Sequence, residues 1–418
     1  TTIISPDLSA DGALLVFRSN GVGVVGGTTP NRSHLYLHDI DMLATEILDE
    51  GDGGAEADDS ATSVGISGDG RYAVLETRAD NIVPAVGGTN ELSTYVRDLA
   101  TGVTELVSIN TSGIRVDGET PSISFDGRFI AFTSSDKPLV VEDTNNARDV
   151  FVLDRDMNGD GTFDDPVMLR ASVQTGGAQV TSGNSFNPRI SADGRWVAFD
   201  SDSAQLVAGD SNNRRDVFVH DLQTVTTVRV SLTTGGGQGS ANATDPAISG
   251  DGRFVVFQSN SAFTPEASNN VSHVFLRDRD TDEDGIYDEA DGVSTTLMSR
   301  NAAGNPNEET AYNARVSVDG TAVAFTSSAD NLVPGDNNNR LDTFVRDLVL
   351  DEIVRASVTS DGAQVPDGGG DAPLIRTVGL SMDGRFTAFT SSGDDLVGDS
   401  ASNQGGIFIR DRDVTEGL

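Results

Sequence analysis

The sequence predicts an all-β chain, folded as a seven-bladed β-propeller of four-stranded antiparallel blades. Three observations carry this. An Asp-Gly pair recurs at intervals of 57–68 residues, at Asp11, Asp69, Asp126, Asp193, Asp251, Asp319 and Asp383. Each pair sits between two short apolar runs, as Ile190-Ser191 and Trp196-Val197-Ala198-Phe199 flank Asp193. Two further strand patterns follow in each unit, so the period of about 60 residues holds four strands, which is the repeat of a propeller blade. Composition agrees. The 418 residues include 46 Gly and are rich in Asp, Asn and Ser, the residues of turns.

The four strands, A to D, are read in order. Strand A ends near a Ser, as at Ser191 and Ser249. The Asp-Gly pair then turns the chain; a two-residue type I′ hairpin is expected, since Asp-Gly tolerates positive φ. Strand B is apolar: Phe254-Val255-Val256-Phe257, Ala322-Val323-Ala324-Phe325. Strand C repeats one pattern, as Asp149-Val150-Phe151-Val152, Asp216-Val217-Phe218-Val219 and Asp342-Thr343-Phe344-Val345. Strand D is exemplified by Val228-Arg229-Val230-Ser231. Thr1-Thr2-Ile3-Ile4-Ser5 matches the strand D segment Thr226–Ser231. Residues 1–5 are therefore expected to complete the last blade, 372–418, and to close the ring. The expectation is one domain over 1–418 with no linker. Phe132, Phe199, Phe257, Phe325 and Phe389 share one position of strand B and are expected to pack between blades, as is Trp196.

These units resemble the TolB-type, WD40-like propeller repeats of bacterial exported proteins. The residues that carry the resemblance are the Ser-x-Asp-Gly-Arg turn (Ser191 to Arg195) and the Val-Ala-Phe after it. The loop Leu206 to Asn213 and the Asp216 to Asp221 strand add to it. It spans essentially the whole chain. Blade 1 departs with Ala13, and blade 6 with Thr321, where Arg is usual. The resemblance implies a propeller and an exported protein, extracellular, cell-surface or periplasmic. It is weak for activity, because propellers host many functions.

Charge excludes several classes. There are 65 acidic residues against 28 basic ones, a formal charge of −37, and Lys137 is the only lysine. Phosphate recognition needs basic patches, so nucleic-acid binding is not expected. No apolar run is long enough to insert in a membrane. With no cysteine there is no disulfide, thiolate nucleophile or Cys-held metal. Calcium loading and a saline habitat both account for such a surface, and they are compatible.

Two units are lengthened in their C–D turns. Blade 3 carries Asp156, Asn158, Asp160, Gly161, Thr162, Phe163 and Asp164. Blade 5 carries Asp280, Asp282, Asp284, Gly285, Ile286, Tyr287 and Asp288, with Asp291 beyond. Both read D-x-[DN]-x-D-G-x-x-D, resembling an EF-hand-type calcium loop. Oxygens at the first, third and fifth positions converge on one ion. Glycine at the sixth allows the sharp turn, and the seventh, Thr162 or Ile286, offers its carbonyl. The ninth, Asp164 or Asp288, adds another oxygen, and Phe163 or Tyr287 anchors the loop. The twelfth position is Val167 in blade 3, with Asp165 nearby, and Asp291 in blade 5. Calcium is expected at both loops, in a structural role.

The B–C loops repeat Asp-x-Asn-x-x-x-Asp: Asp143, Asn145 and Asp149; Asp210, Asn212 and Asp216; Asp336, Asn338 and Asp342. Capping of loop backbone, further calcium, and a polar rim for sugar hydroxyls are all open readings. Arg71, Arg128, Arg195, Arg253 and Arg385 follow the Asp-Gly turns and are expected to pair with a neighbouring Asp. The four histidines, His34, His38, His220 and His273, have no metal-ligand spacing, and no catalytic residues are assigned.

The function these features favour is a non-enzymatic, calcium-binding interaction or structural module. It would bind protein or polysaccharide, copies of itself included, at the rim formed by the D–A and B–C loops, typified by Thr233 to Gly239. The alternatives are a polysaccharide lyase or glycosidase on a propeller scaffold, and a repeat domain of a larger adhesin or filament.

Overall fold

The computed structural model describes the chain except residues 1–2, 22, 27, 52, 85–89, 136–137, 269–270, 365–377, 392–395, 397–405 and 414–418. The strands form seven antiparallel sheets in a ring, a β-propeller. Six sheets have four strands and the seventh has three among the described residues. Blade 4 is typical: A Ser185–Ile190, B Trp196–Ser201, C Asp216–Asp221, D Thr226–Arg229. Strands B and C are almost wholly buried, because both faces of a blade pack on neighbours. Their alternating apolar residues meet in fixed register. Phe199 lies opposite Phe218 with ring centroids 5.9 Å apart, and the pair recurs as Phe132–Phe151, Phe257–Phe275, Phe325–Phe344 and Phe389–Phe408. The expected interblade role holds: Phe199 packs with Ala131 and Val150 of blade 3.

The ring closes differently from the expectation. Ile3–Leu8 is strand A of the first blade, with Ile3 opposite Ser19 and Ile4 opposite Arg18. The Thr-Thr-Ile-Ile-Ser likeness to strand D therefore misleads. The same residues run straight into the first Asp-Gly turn, and an innermost strand of one blade cannot also be the outermost strand of another. What joins the blades is a circuit of backbone hydrogen bonds between successive A–B turns. Ala10 N donates to Gly68 O, Asp69 N to Phe125 O, Phe125 N to Ala192 O and Asp193 N to Gly250 O. Gly250 N then donates to Val318 O, Asp319 N to Met382 O, and Met382 N back to Ala10 O, all at 2.7–3.3 Å. An apolar cluster of Leu8, Leu15, Phe17 and Tyr36 with Phe386, Ala388 and Ile407 seals the seam between blades 1 and 7.

The A–B turns are also wider than a two-residue hairpin. Ser191 O accepts from Gly194 N at 3.0 Å, and Ser191 N donates to Trp196 O at 2.9 Å. Gly194 has positive φ, 73°, whereas Asp193 does not. The Asp works instead as an acceptor for Arg195 N and the Ser191 hydroxyl. The glycine is required twice over. A Cβ there would lie 2.0 Å from Phe129 of the preceding blade. Gly252 likewise receives Trp196, and Gly12 receives Phe386 across the closing seam.

The turn arginines pair as expected. Arg128, Arg195, Arg253 and Arg385 each make two bonds to the Asp ending strand C, and Arg71 makes one. Each guanidinium also lies over the aromatic that follows it, Arg195 over Trp196 at 4.4 Å. Asp221 shows the electrostatic result. Burial pushes its carboxyl up, but bonds from Arg195, the Thr224 hydroxyl and Gln223 N outweigh this and hold it at about 2. A carboxylate depressed from 3.8 stabilises the fold above that pH, and the contribution is lost as pH falls toward 2. Arg195 is 38 % exposed, so solvent screening reduces the contribution to about 1 kcal/mol. Asp221→Asn is expected to lower stability by that amount at neutral pH and to flatten the acid limb between pH 4 and 2 in urea titrations. An unchanged acid limb would refute this account.

Candidate functional site

Three regions concentrate polar chemistry: the long C–D turns, the B–C loops and the axial channel.

In blade 5 the C–D loop folds around Asp280, which is buried at 4 % exposure. Its two carboxylate oxygens accept from Asp284 N at 3.1 Å and Gly285 N at 3.0 Å, and Asp284 accepts from Ile286 N at 2.8 Å. Gly285 takes φ 83° at the sixth position. Carboxylate oxygens of Asp280, Asp282 and Asp284 lie within 4.8 Å of one another. Asp291 is outside that group. Asp288 is turned away, bonded to Arg279 through both oxygens at 2.6–3.2 Å. Glu289 takes a place near the cluster that the sequence reading gave to those two. The charges of Asp284, Asp282 and Asp280 push its carboxyl up. A set of hard oxygens with unbalanced negative charge fits calcium.

The blade 3 loop has the same frame. Asp156 accepts from Asp160 N at 3.1 Å and Gly161 N at 3.0 Å, and Asp160 accepts from Thr162 N at 2.9 Å. Asn158 Nδ2 reaches Asp160 at 3.2 Å. Asp165 clasps the loop by accepting from Met157 N and Asn158 N, while Asp164 is exposed. Both loops are pinned across a blade boundary. Phe163 packs on Tyr72 of blade 2, and Tyr287 on Trp196 of blade 4. Arg155 stacks on Tyr72 and Phe163, and Arg279 on Trp196 and Tyr287. The apolar eighth position is thus a clamp between blades.

In the B–C loops the Asp-x-Asn-x-x-x-Asp sets face a cation that the chain supplies itself, the strand D arginine. Arg170 lies 3.5 Å from Asp143 and 3.9 Å from Asp149. Arg229 lies 2.9 Å from Asp210 and 3.4 Å from Asp216, and Arg355 lies 2.8 Å from Asp336 and 3.7 Å from Asp342. Asn145 and Asn212 donate to the second Asp of their sets. Asn338 Oδ1 caps the backbone by accepting from Arg340 N. Asp336 rises to about 6, through burial first and the charge of Asp342 second. This geometry favours a packing role for all nine residues.

The residue two places before the Ser of each A–B turn lines the channel. Around the ring these are Asp7, Gly65, Ser122, Arg189, Ala247, Arg315 and Gly379. Most border a cavity of about 240 Å³, at the end of the channel nearest the A–B turns. Nearer the opposite rim, strand A bulges at Thr120, Asn187, Asp245 and Asn313, which take φ of 51–54°. Glu76, Asp200 and Gln258 of the preceding blades accept the bulge N–H groups of Thr120, Asp245 and Asn313. Burial raises Asp200 to about 7. The sequence reading missed this inner ring, although a fixed offset from the turn Ser identifies it.

The histidines are used structurally. His34 sits between Asp49 at 3.2 Å and Glu56 at 3.0 Å. His38 and His220 bond to Thr45 and Thr227, and His273 to Asn307. Burial drops His220 to about 4. None borders the channel cavity.

No family model and no curated protein matches the chain. Solved structures share its fold. The β-propeller domain of the Trilobed protease from Pyrococcus furiosus, described as having an open velcro topology, aligns with a TM-score of 0.55 at 9 % identity. The alignment covers 98 % of this chain and 93 % of that one. Oligogalacturonate lyase from Vibrio parahaemolyticus aligns at 0.54 and 14 % identity, over 97 % and 88 % of the two chains. TolB from Acinetobacter baumannii aligns at 0.43 and 14 % identity, over 84 % of this chain and 62 % of its own. At these identities the likeness is one of fold, that of a β-propeller.

Proposed function

We propose that this chain is a non-enzymatic, exported binding module, stabilised by calcium in the C–D loops of blades 3 and 5. Its partner face is the rim of D–A and B–C loops. The observation that carries the partner assignment is a groove of about 1050 Å³ between blades 4 and 5. Thr233, Thr234 and Gly235 form one wall, Thr264 and Pro265 a second, and Arg300 and Asn305 a third. Hydroxyl, amide and guanidinium donors beside apolar ring and methyl surface suit a polysaccharide, and also a polar protein loop. Calcium sites of extracellular modules work at the high calcium levels outside cells, which is the basis for an exported location.

The test is a binding screen of the purified protein against neutral and acidic polysaccharides, with Ala303→Trp as the groove-filling variant. Ala303 is exposed on the groove wall, so the variant is expected to fold normally and to bind at least tenfold more weakly. A partner held with equal affinity by the variant, or seated only on the A–B/C–D rim, would remove the face assignment. Cleavage of any polysaccharide in the screen would replace the binding module with an enzyme.

A further inference from the structure

We propose that the axial channel is a binding site for a small carboxylate, held by Arg189 and Arg315 at the end nearest the A–B turns. This site is independent of the rim groove and of the calcium loops. Both arginines project from the innermost strands into the same 240 Å³ cavity. Among the described residues, neither guanidinium has a carboxylate within 4.0 Å. Each makes one bond, to the carbonyl of the residue before it, Pro188 at 3.2 Å and Ala314 at 2.8 Å.

Most other arginines with buried side chains have a carboxylate partner. Arg170, Arg229, Arg279, Arg346 and Arg355 all have one within 4.0 Å. Among the described residues Arg277 does not, and bonds Thr233 O and Thr295 Oγ1 instead. Carboxylates are abundant, with 65 acidic residues against 28 basic ones. Placing two guanidinium groups near one another in a channel is costly. The charges of Asp245 and Asp7 offset them in part, but neither carboxylate closes to an ion pair within 4.0 Å. Burial, and then repulsion from Arg315, pull Arg189 down to about 10. Ala247 lies between them in ring order, and this small side chain leaves room for the two long arms to converge. A planar fork matches a carboxylate through paired N–H bonds.

Asp7 borders the same cavity. It accepts from Ile66 N at 3.2 Å and Leu8 N at 3.1 Å, and burial raises its carboxyl. Its charge disfavours a second carboxylate and favours a donor. The ligand class is therefore a monocarboxylate bearing hydroxyl or amine groups, small enough for a space of about eight water volumes.

The experiment is calorimetric titration of the full chain with glycolate, glycine, glucuronate and inorganic phosphate, against chloride as control. At least one of the three carboxylates is expected to bind. Arg189→Gln and Arg315→Gln are each expected to weaken it by tenfold to a hundredfold, with melting curves confirming the fold. Arg315→Lys keeps the charge and loses the fork. It is expected to bind better than Arg315→Gln, which separates ligand contact from a packing role even if the Gln variants melt early. No carboxylate binding above chloride, a preference for phosphate, or undiminished binding in the Gln variants would each overturn the assignment.

Discussion

Chelation with EGTA is expected to lower the melting temperature by roughly 5–10 °C, and metal analysis of the purified protein to return two tightly held calcium ions. The magnitude follows from linkage. An ion present at about a hundred times its dissociation constant stabilises a fold by about 2.7 kcal/mol, so two sites contribute about 5 kcal/mol. In a domain larger than 150–250 residues each kcal/mol moves the midpoint by about 1–2 °C. The effect is global because each loop spans a blade boundary, through Phe163 on Tyr72 and Tyr287 on Trp196. Asp280→Asn is expected to remove one ion and about half of the shift. Five or more ions would return metal to the B–C loops. No calcium and no response to EGTA would leave both C–D loops as acidic turns, and the charge of −37 as a surface suited to salt.

Trp196→Ala is expected to cost about 3–5 kcal/mol in urea unfolding, the range for truncating a large buried aromatic. Trp196 is 8 % exposed and serves four contacts at once. It fills the space over Gly252, where a Cβ would come within 2.2 Å of its ring. It carries Arg195 and Arg279 on its faces, at 4.4 and 4.3 Å. It also seats Tyr287 at 5.2 Å. Trp196→Phe supplies the residue found at the same position in blades 3, 5 and 7, as Phe129, Phe254 and Phe386, and is expected to cost about 1 kcal/mol. Calcium affinity of the blade 5 loop should fall with the alanine variant and hold with phenylalanine. A cost below 1 kcal/mol for alanine would show that the interblade clamp is not a source of stability.

These two predictions rest on different kinds of information. The acidic C–D loops were readable as sequence, because their carboxylates lie within nine residues and local turn geometry brings them together. Even there the reading was incomplete. Asp288 looks like a ninth-position ligand until Arg279 takes it, and Glu289 has no motif position that would single it out. The B–C loops show the same limit more strongly. Asp210, Asn212 and Asp216 read equally well as metal ligands and as caps, because the deciding group, Arg229, arrives from strand D after the chain has crossed the blade twice.

Period, pattern and turn chemistry were thus enough for the blade number, the four strands of each repeat and the pairing of the turn arginines with a neighbouring Asp. All of these are set by residues that neighbour one another in one repeat. Folding in three dimensions was needed for the rest. It placed Ile3–Leu8 as the inner strand of the first blade, closed the ring through hydrogen bonds between A–B turns, and set Arg189, Arg315 and Asp7 around one cavity. Each of these joins residues from different blades, and a repeat that copies its own pattern carries no local mark of which copies will face one another across the axis.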